Sequence, residues 1–129
     1  MVAVICLSGC APYLAPPTKA DATVYVLNTI PDGSVEAHAL LVNGKEIAAL
    51  ASRQYTWFQV SPGTYSFAVA GGRDQGGRQS ALELNLKPGV TRYLVYDEEE
   101  QDNYLIEYAQ DHANRWLQGA RYVRNSVPR

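Results

Sequence analysis

Several groups of side chains in this 129-residue sequence have the types that metal binding or catalysis requires. The densest is residues 97–102, where five of six side chains are carboxylates, the oxygen ligands that calcium prefers. The run lacks the alternating aspartates and the sharp-turn glycine of a calcium loop. It therefore indicates a solvated hairpin tip, with contact to a basic partner as the alternative.

A second group lies in residues 70–78, where four glycines accompany Arg73, Asp74 and Arg78. Backbone N–H groups and arginines suit an anion, but phosphate cradles lead into a helix, and residues 80–86 have the pattern of a strand. A flexible hairpin loop is favoured.

The two histidines, His38 and His112, have no metal-ligand spacing, and no nucleophile-elbow sequence accompanies them. The sequence predicts no metal, no cofactor and no catalytic residues.

The two cysteines, Cys6 and Cys10, both lie in the first ten residues. An apolar run over residues 2–7 precedes Cys10, which is typical of the end of a signal peptide. The run is short and no Lys or Arg comes before Lys19, so we expect the true translation start upstream. The alternative is a buried first strand with an incidental cysteine. The four residues of interest are Leu7, Ser8, Gly9 and Cys10.

These four residues resemble the bacterial lipobox, which implies cleavage before Cys10 and attachment of acyl chains such as palmitate to it. Residues 1–9 are then a signal-peptide remnant. Residues 10–20 contain three prolines and are interpreted as an extended tether. Two or more acyl chains anchor a protein stably without a membrane-spanning helix. Ala11, by resemblance to sorted lipoproteins, implies the outer membrane, with the domain facing the periplasm of the cell envelope.

Composition predicts a single globular domain over residues 21–119. The chain is 47% hydrophobic and 19% charged, and its net charge of −2 provides no field to attract nucleic acid. Short alternating runs separated by turn residues predict an all-β sandwich of about seven or eight mostly antiparallel strands. The expected strands are residues 22–28, 38–42, 45–50, 55–60, 64–70, 81–86, 91–96 and 104–108.

One short C-terminal helix is expected after these strands. Ala109, Ala113, Trp116 and Leu117 share a helical face, and Asp111 is the expected N-cap. Residues 120–129 form a basic tail that we expect to be partly mobile.

The strand at residues 55–60 is apolar on both faces, since Tyr55 and Trp57 alternate with Phe58 and Val60. Either the helix that carries Trp116 covers its outer side, or the aromatics form a binding patch for a protein or glycan. The possible patch consists of Tyr55, Trp57, Arg73 and Asp74.

Four segments (22–26, 42–47, 55–63 and 86–94) resemble a family of bacterial lipoproteins of unknown function. Its domain is similar to PEGA-type and transthyretin-like β-sandwiches. The resemblance spans about residues 21–119 and implies no catalytic residues. The leading hypothesis is a non-catalytic envelope lipoprotein that acts as an interaction or assembly module with an envelope protein. The alternative is a glycan- or peptidoglycan-binding protein or an envelope hydrolase.

Overall fold

The computed structural model describes residues 21–29, 37–70, 81–99 and 102–128. They form nine strands and one helix in two packed layers. The strands are β1 (Ala22–Asn28), β2 (His38–Val42), β3 (Lys45–Leu50), β4 (Gln54–Val60), β5 (Gly63–Ala70), β6 (Leu82–Leu86), β7 (Thr91–Glu99), β8 (Asp102–Tyr108) and β9 (Arg121–Tyr122). The helix α1 (Gln110–Leu117) follows β8.

The strands form a five-stranded sheet in the order β8-β7-β1-β4-β9 and a four-stranded sheet in the order β3-β2-β5-β6. Among the described strands most pairs are antiparallel, but β1 pairs with β7 and β4 pairs with β9 in parallel. This arrangement confirms the prediction of a mostly antiparallel all-β fold with one short C-terminal helix. Both parallel pairs join strands that are distant in the chain.

The core lies between the sheets and follows the alternation of strand side chains. In β5, Tyr65, Phe67 and Val69 are buried, while Thr64 is exposed. The five-stranded sheet buries Val24, Val26, Phe58 and Val60 against them. Burial of each such side chain contributes about 1.5–3 kcal/mol, so this interface is the main source of stability.

The β2–β3 hairpin turns at Asn43 and Gly44, whose φ angles are 52° and 81°. Positive φ at both positions is the type I′ geometry that the Asn-Gly pair predicts. Asn43 also ties the turn to the neighbouring strand, because its Oδ1 accepts a hydrogen bond of 2.9 Å from the Ser66 N–H. The predicted hairpin is confirmed.

Substitution of Gly44 by alanine is expected to lower the free energy of unfolding by about 1 kcal/mol, because an L-residue resists the left-handed conformation. No atom lies within 4 Å of a Cβ at Gly44, so the cost is conformational and involves no clash. Urea unfolding measures it. Gly119→Ala is the matched control, since Gly119 has open space and no positive φ. Equal destabilisation by both changes would contradict this account of the turn.

The β7–β8 hairpin is longer than the sequence predicts. Strand pairing continues to Glu99 and Asp102, so the acidic segment forms the end of a two-stranded ribbon. The cross-strand ladder extends β7 beyond residue 96 even though carboxylates have low strand propensity. The glycine- and arginine-containing loop and residues 1–20 lie outside the described residues.

The C-terminal tail differs from the expected mobile segment. Arg121 and Tyr122 pair with β4, and Val127 is 5% exposed within the core. The Asn125 Nδ2 donates hydrogen bonds of 2.8 Å to the Thr56 Oγ1 and to the Trp57 carbonyl oxygen. The Ser126 N–H donates to the Ile47 carbonyl oxygen of the other sheet. The tail therefore closes one side of the sandwich.

The helix also begins differently from the prediction. Ala109 is the N-cap residue and makes no side-chain capping bond, so the assignment of Asp111 as the cap is wrong. Asp111 lies inside the first turn and Arg115 lies in the last turn. The helix dipole favours a negative charge at the first of these positions and a positive charge at the second. The carboxylate therefore stabilises the helix through its charge.

Candidate functional site

The outer face of the five-stranded sheet carries a group of aromatic side chains that we call the aromatic band. The register places Tyr93, Tyr25 and Trp57 in one row across β7, β1 and β4. Tyr55 and Tyr122 are paired in the next row, on β4 and β9. The band consists of Tyr25, Tyr55, Trp57, Tyr93 and Tyr122.

The rings of the band contact one another continuously. Tyr25 is central, with ring centroids 5.1 Å from Tyr93, 6.2 Å from Trp57 and 6.5 Å from Tyr55. The Tyr122 ring meets Tyr55 edge-on at 5.7 Å. Aromatic pairs at these separations contribute beyond their buried area, so the rings hold one another in place. The result is a preorganised surface across four strands.

A second aromatic group lies beside the band, where β8 leads into α1. Tyr108 is the register partner of Tyr93, and its ring contacts His112 at 5.7 Å and Trp116 at 5.0 Å. The His112 and Trp116 rings stack on each other at 6.0 Å. The band and this group together contain five of the nine tyrosines and both tryptophans of the sequence. Aromatic side chains are thus concentrated on one face of the molecule.

Helix α1 packs against β7 and covers only one side of this face. Leu27 and Val95 lie on the outer side of the sheet yet are 3% and 1% exposed, and Ala113 is the buried residue of the helix. The ring contacts of Trp116 are with Tyr108 and His112. Tyr25, Tyr55 and Trp57, two of them on β4, remain partly exposed. Within the part of the chain that the structure describes, the helix therefore leaves the aromatic band partly exposed.

Polar side chains border the row of Tyr25 and Trp57. Thr23 is paired in register with Gln59 on one side and with Thr91 on the other. The Gln59 Nε2 donates a hydrogen bond of 3.2 Å to the Thr23 Oγ1. Hydroxyl and amide groups donate and accept hydrogen bonds. The face therefore combines ring surfaces with groups that suit a polyhydroxylated ligand.

Burial raises the pKa of several tyrosines. Loss of solvent is the larger cause for Tyr93, and the neighbouring Tyr25 adds to the rise in its pKa. Burial also raises the pKa of Tyr65, with a contribution from Asp21, and the pKa of the deeply buried Tyr96, with a contribution from Glu46. These three phenols are neutral at physiological pH, and the hydroxyl groups of Tyr65 and Tyr96 donate hydrogen bonds to the carbonyl oxygens of Ser61 and His38.

Stability is expected to fall as the pH rises through about 10, the ordinary pKa of tyrosine. The folded state holds the phenols protonated, so the unfolded chain releases their protons first. The contribution is complete below pH 10 and is lost as the pH rises toward the higher folded pKa. Urea unfolding between pH 8 and 11 measures the slope. Tyr96→Phe should flatten it, and an unchanged slope in that variant would contradict the assignment to Tyr96.

The other candidate residues do not converge on a catalytic group. His38 is buried, contacts Tyr96 edge-on at 6.1 Å, and has an Nδ1 without a hydrogen-bond partner in the described structure. Arg73 and Asp74 lie outside the described residues. The residues that are described contain no group of three or more His, Cys, Asp or Glu that could hold a metal. Nor does any described helix have the length and apolar character to cross a membrane.

Sequence reasoning identified two members of the band and missed three. Tyr55 and Trp57 share one strand, so the alternation of β4 was sufficient to place them together. Tyr25 was recognisable as the outward residue of its strand, because Val24 and Val26 are the inward ones. Its contacts with Tyr93 depend on the pairing of β1 with β7, which no local pattern specifies. Tyr122 was missed because the tail was not recognised as a strand.

No protein-family model and no curated protein matches this sequence.

Proposed function

We propose that this chain is a non-catalytic, membrane-anchored envelope lipoprotein whose β-sandwich acts as an interaction and assembly module. The aromatic band is the contact surface. The single observation that supports this function best is the unbroken set of ring contacts from Tyr93 to Tyr122 on the outer face. An aromatic surface of this extent exceeds what a solvated sheet face needs and is typical of recognition sites.

The anchor rests on residues 7–10, with Cys10 as the lipidated residue. The proposed location is the outer membrane, with the domain facing the periplasm, and the proposed relationship is to lipoproteins with PEGA-type or transthyretin-like domains. Fractionation of cells that produce the wild type or Cys10→Ser tests the anchor. The wild type should sediment with membranes and the variant should not. Equal membrane retention of both would overturn the lipoprotein assignment.

We propose no catalytic role because of the groups that surround the two histidines. The ring of His38 packs on Tyr96, and the ring of His112 packs between aromatic neighbours. A hydrolase needs a base within hydrogen-bond reach of a nucleophile or a bound water. Neither imidazole has such a partner among the described side chains that contact it. These contacts support a binding function over an envelope hydrolase.

Two ligand classes fit an aromatic face, an envelope protein and a glycan. Protein hot spots usually present aromatic anchors that fill pockets of the partner. Here Tyr25, Tyr55 and Trp57 lie half-buried within the sheet surface, and Thr23 and Gln59 supply adjacent hydrogen-bonding groups. The rings around Tyr25 are stacked on one another, so the band presents ring edges beside hydroxyl and amide groups, which offer apolar contacts and hydrogen bonds to sugar rings and their hydroxyls. Glycan binding, with peptidoglycan as the available envelope polymer, is therefore the form of the function that we favour.

Co-sedimentation with purified peptidoglycan sacculi tests this form directly. The detergent-solubilised, lipidated chain should enter the pellet in a saturable way. A parallel pulldown from solubilised membranes tests the protein-partner form, in which a stoichiometric partner is recovered and Trp57→Ala loses it. Saturable sacculus binding supports the glycan form. A stoichiometric protein partner without sacculus binding would replace the glycan form. If the chain binds neither sacculi nor a protein partner under any condition, the proposal of a binding module is overturned.

A further inference from the structure

The C-terminal tail continues along the edge of β4 beyond the two residues of β9. Alternate carbonyl oxygens of a strand lie along the same edge. Three of these oxygens accept hydrogen bonds from tail groups spaced two residues apart: that of Arg53 from the Arg121 N–H at 2.9 Å, that of Tyr55 from the Val123 N–H at 2.8 Å, and that of Trp57 from the Asn125 Nδ2 at 2.8 Å. The third bond is therefore made by a side chain in place of a backbone N–H.

The Asn125 side chain is held by three hydrogen bonds. Its Nδ2 also donates to the Thr56 Oγ1 at 2.8 Å, and its Oδ1 accepts a hydrogen bond of 3.0 Å from the Val127 N–H. A side-chain amide has two N–H donors, and both are used here. The reversed amide would place Oδ1 against the Trp57 carbonyl oxygen, which cannot donate. The orientation of the amide is therefore fixed by its surroundings.

The backbone of the tail leaves the five-stranded sheet at Asn125. The Ser126 N–H donates to the Ile47 carbonyl oxygen of the other sheet at 2.9 Å, and Val127 enters the core. The Asn125 amide reaches back to β4 from this point. It keeps the Trp57 carbonyl oxygen paired although the tail backbone has turned away.

The tail contributes to the aromatic band in two ways. It supplies Tyr122, whose ring meets Tyr55 edge-on at 5.7 Å. It also supplies donors to the carbonyl oxygens of Tyr55 and Trp57. The Trp57 carbonyl points toward the tail, so it is not one of the groups that pair β4 with β1. Because the direction of a side chain follows the backbone of its strand, the position of the indole depends on Asn125.

We propose that the C-terminal tail is part of the binding site and that Asn125 is a positioning residue, which holds Trp57 in place for the ligand of the aromatic band. This inference rests on the proposed function and adds a residue that acts through Trp57. It also makes ligand binding and docking of the tail interdependent. A ligand that binds the complete band stabilises the docked tail, and the docked tail raises the affinity for the ligand.

Asn125→Asp tests the positioning of Trp57 without a ligand. The carboxylate keeps the acceptor for the Val127 N–H, and the Thr56 hydroxyl can donate to it, but it has no N–H for the Trp57 carbonyl oxygen. In a Trp116→Phe background, the variant should show greater quenching of Trp57 fluorescence by acrylamide and a red-shifted emission. Val127→Ala is the matched control, because it loses a core contact of the tail and retains both Nδ2 hydrogen bonds.

Binding to peptidoglycan sacculi should fall with the same change. Asn125→Asp should raise the Kd about fivefold, the net contribution of one hydrogen bond, whereas Val127→Ala should stay near the wild-type value. Asn125→Leu removes the amide without adding a negative charge and should weaken binding at least as much. Binding that falls in Asn125→Asp and persists in Asn125→Leu would indicate charge repulsion and overturn the positioning role.

Hydrogen exchange measures the coupling in the opposite direction. Saturation with soluble muramyl-peptide fragments of peptidoglycan should slow exchange of the Val123 and Ser126 amides, which tie the docked tail to the two sheets. The Asn43 amide donates to the Ser66 carbonyl oxygen in the β2–β3 turn and is the matched control. Its exchange should not change. Equal slowing at Asn43 would indicate stabilisation of the whole domain and overturn the coupling to the tail.

The outcomes separate this inference from the proposed function. Equal Trp57 quenching in the ligand-free wild type and Asn125→Asp would overturn the positioning role, while sacculus binding by the wild type would retain the glycan-binding function. Equal changes in Val127→Ala would assign the effect to the tail as a whole and also overturn the role of Asn125. If no form binds sacculi, the glycan-binding function is overturned, and the ligand-free quenching still decides whether Asn125 positions Trp57. Greater quenching and weaker binding in the Asn125 variants alone support both.

Discussion

Deletion of residues 121–129 is expected to lower the free energy of unfolding by about 4 kcal/mol, from burial of Val127 and from the tail's hydrogen bonds. Val127 packs into the core between the sheets. The Asn125 side chain satisfies the buried Thr56 hydroxyl and the Trp57 carbonyl oxygen. The Val123 N–H donates to the Tyr55 carbonyl oxygen at 2.8 Å. A loss of this size removes a large share of the stability of an ordinary domain.

Urea unfolding followed by circular dichroism measures this loss. Deletion of residues 128–129 alone is the matched control, because Pro128 is exposed and both tethering residues remain. Asn125→Ala and Val127→Ala should each reproduce part of the effect, since each removes one of the two tethers. If the variant that lacks residues 121–129 unfolds at the same urea concentration as the wild type, the tail contributes nothing to the stability of the sandwich.

The double variant Tyr25→Ala/Trp57→Ala is expected to weaken sacculus binding about a hundredfold or more, because buried aromatic hot spots each contribute about 2 kcal/mol or more. Tyr25 contacts three other members of the band, so its removal also frees the rings of Tyr55 and Tyr93. The inward neighbours Val24 and Phe58 are unchanged, and the fold should persist. Co-sedimentation over a range of sacculus concentrations measures the change in Kd.

Trp116→Ala is the matched control for this prediction. Trp116 is also aromatic and is 37% exposed, but its ring contacts belong to the Tyr108 group beside the band. Binding should therefore change little in this variant. Comparable losses in Trp116→Ala and in the double variant would move the contact surface to the helix. Retention of wild-type affinity in the double variant would exclude the band.

Local patterns were sufficient to predict much of the fold. The Asn43–Gly44 turn, the alternation of Tyr65 and Phe67 in β5, and the two-faced strand at Trp57 all depend on residues close together in the chain. The two-residue period of a strand and the positive φ of a type I′ turn express these features directly. Most strand boundaries were predicted well for the same reason. The exceptions are β7 and β8, which pairing extends to Glu99 and Asp102, and β9, which was not predicted.

Long-range pairing accounts for the features that the sequence did not predict. The parallel pairing of β1 with β7 brings Tyr25 beside Tyr93, and strand partners are chosen by packing across the whole domain. The tail shows the same limit. Its three arginines suggested a solvated segment, whereas Val123 and Val127 supply the apolar contacts and Asn125 the hydrogen bonds that fix it. The aromatic band was therefore only partly visible before the strand order was known.

The position of the ligand relative to Trp57 can be measured in a protein with a single tryptophan. Trp116→Phe leaves Trp57 as the remaining tryptophan of the two in the sequence. Saturation with soluble muramyl-peptide glycan fragments should lower the quenching of Trp57 fluorescence by acrylamide, because the bound sugar shields the indole. Unchanged quenching at fragment concentrations that fully displace the protein from sacculi would place the ligand elsewhere and contradict binding on the aromatic band.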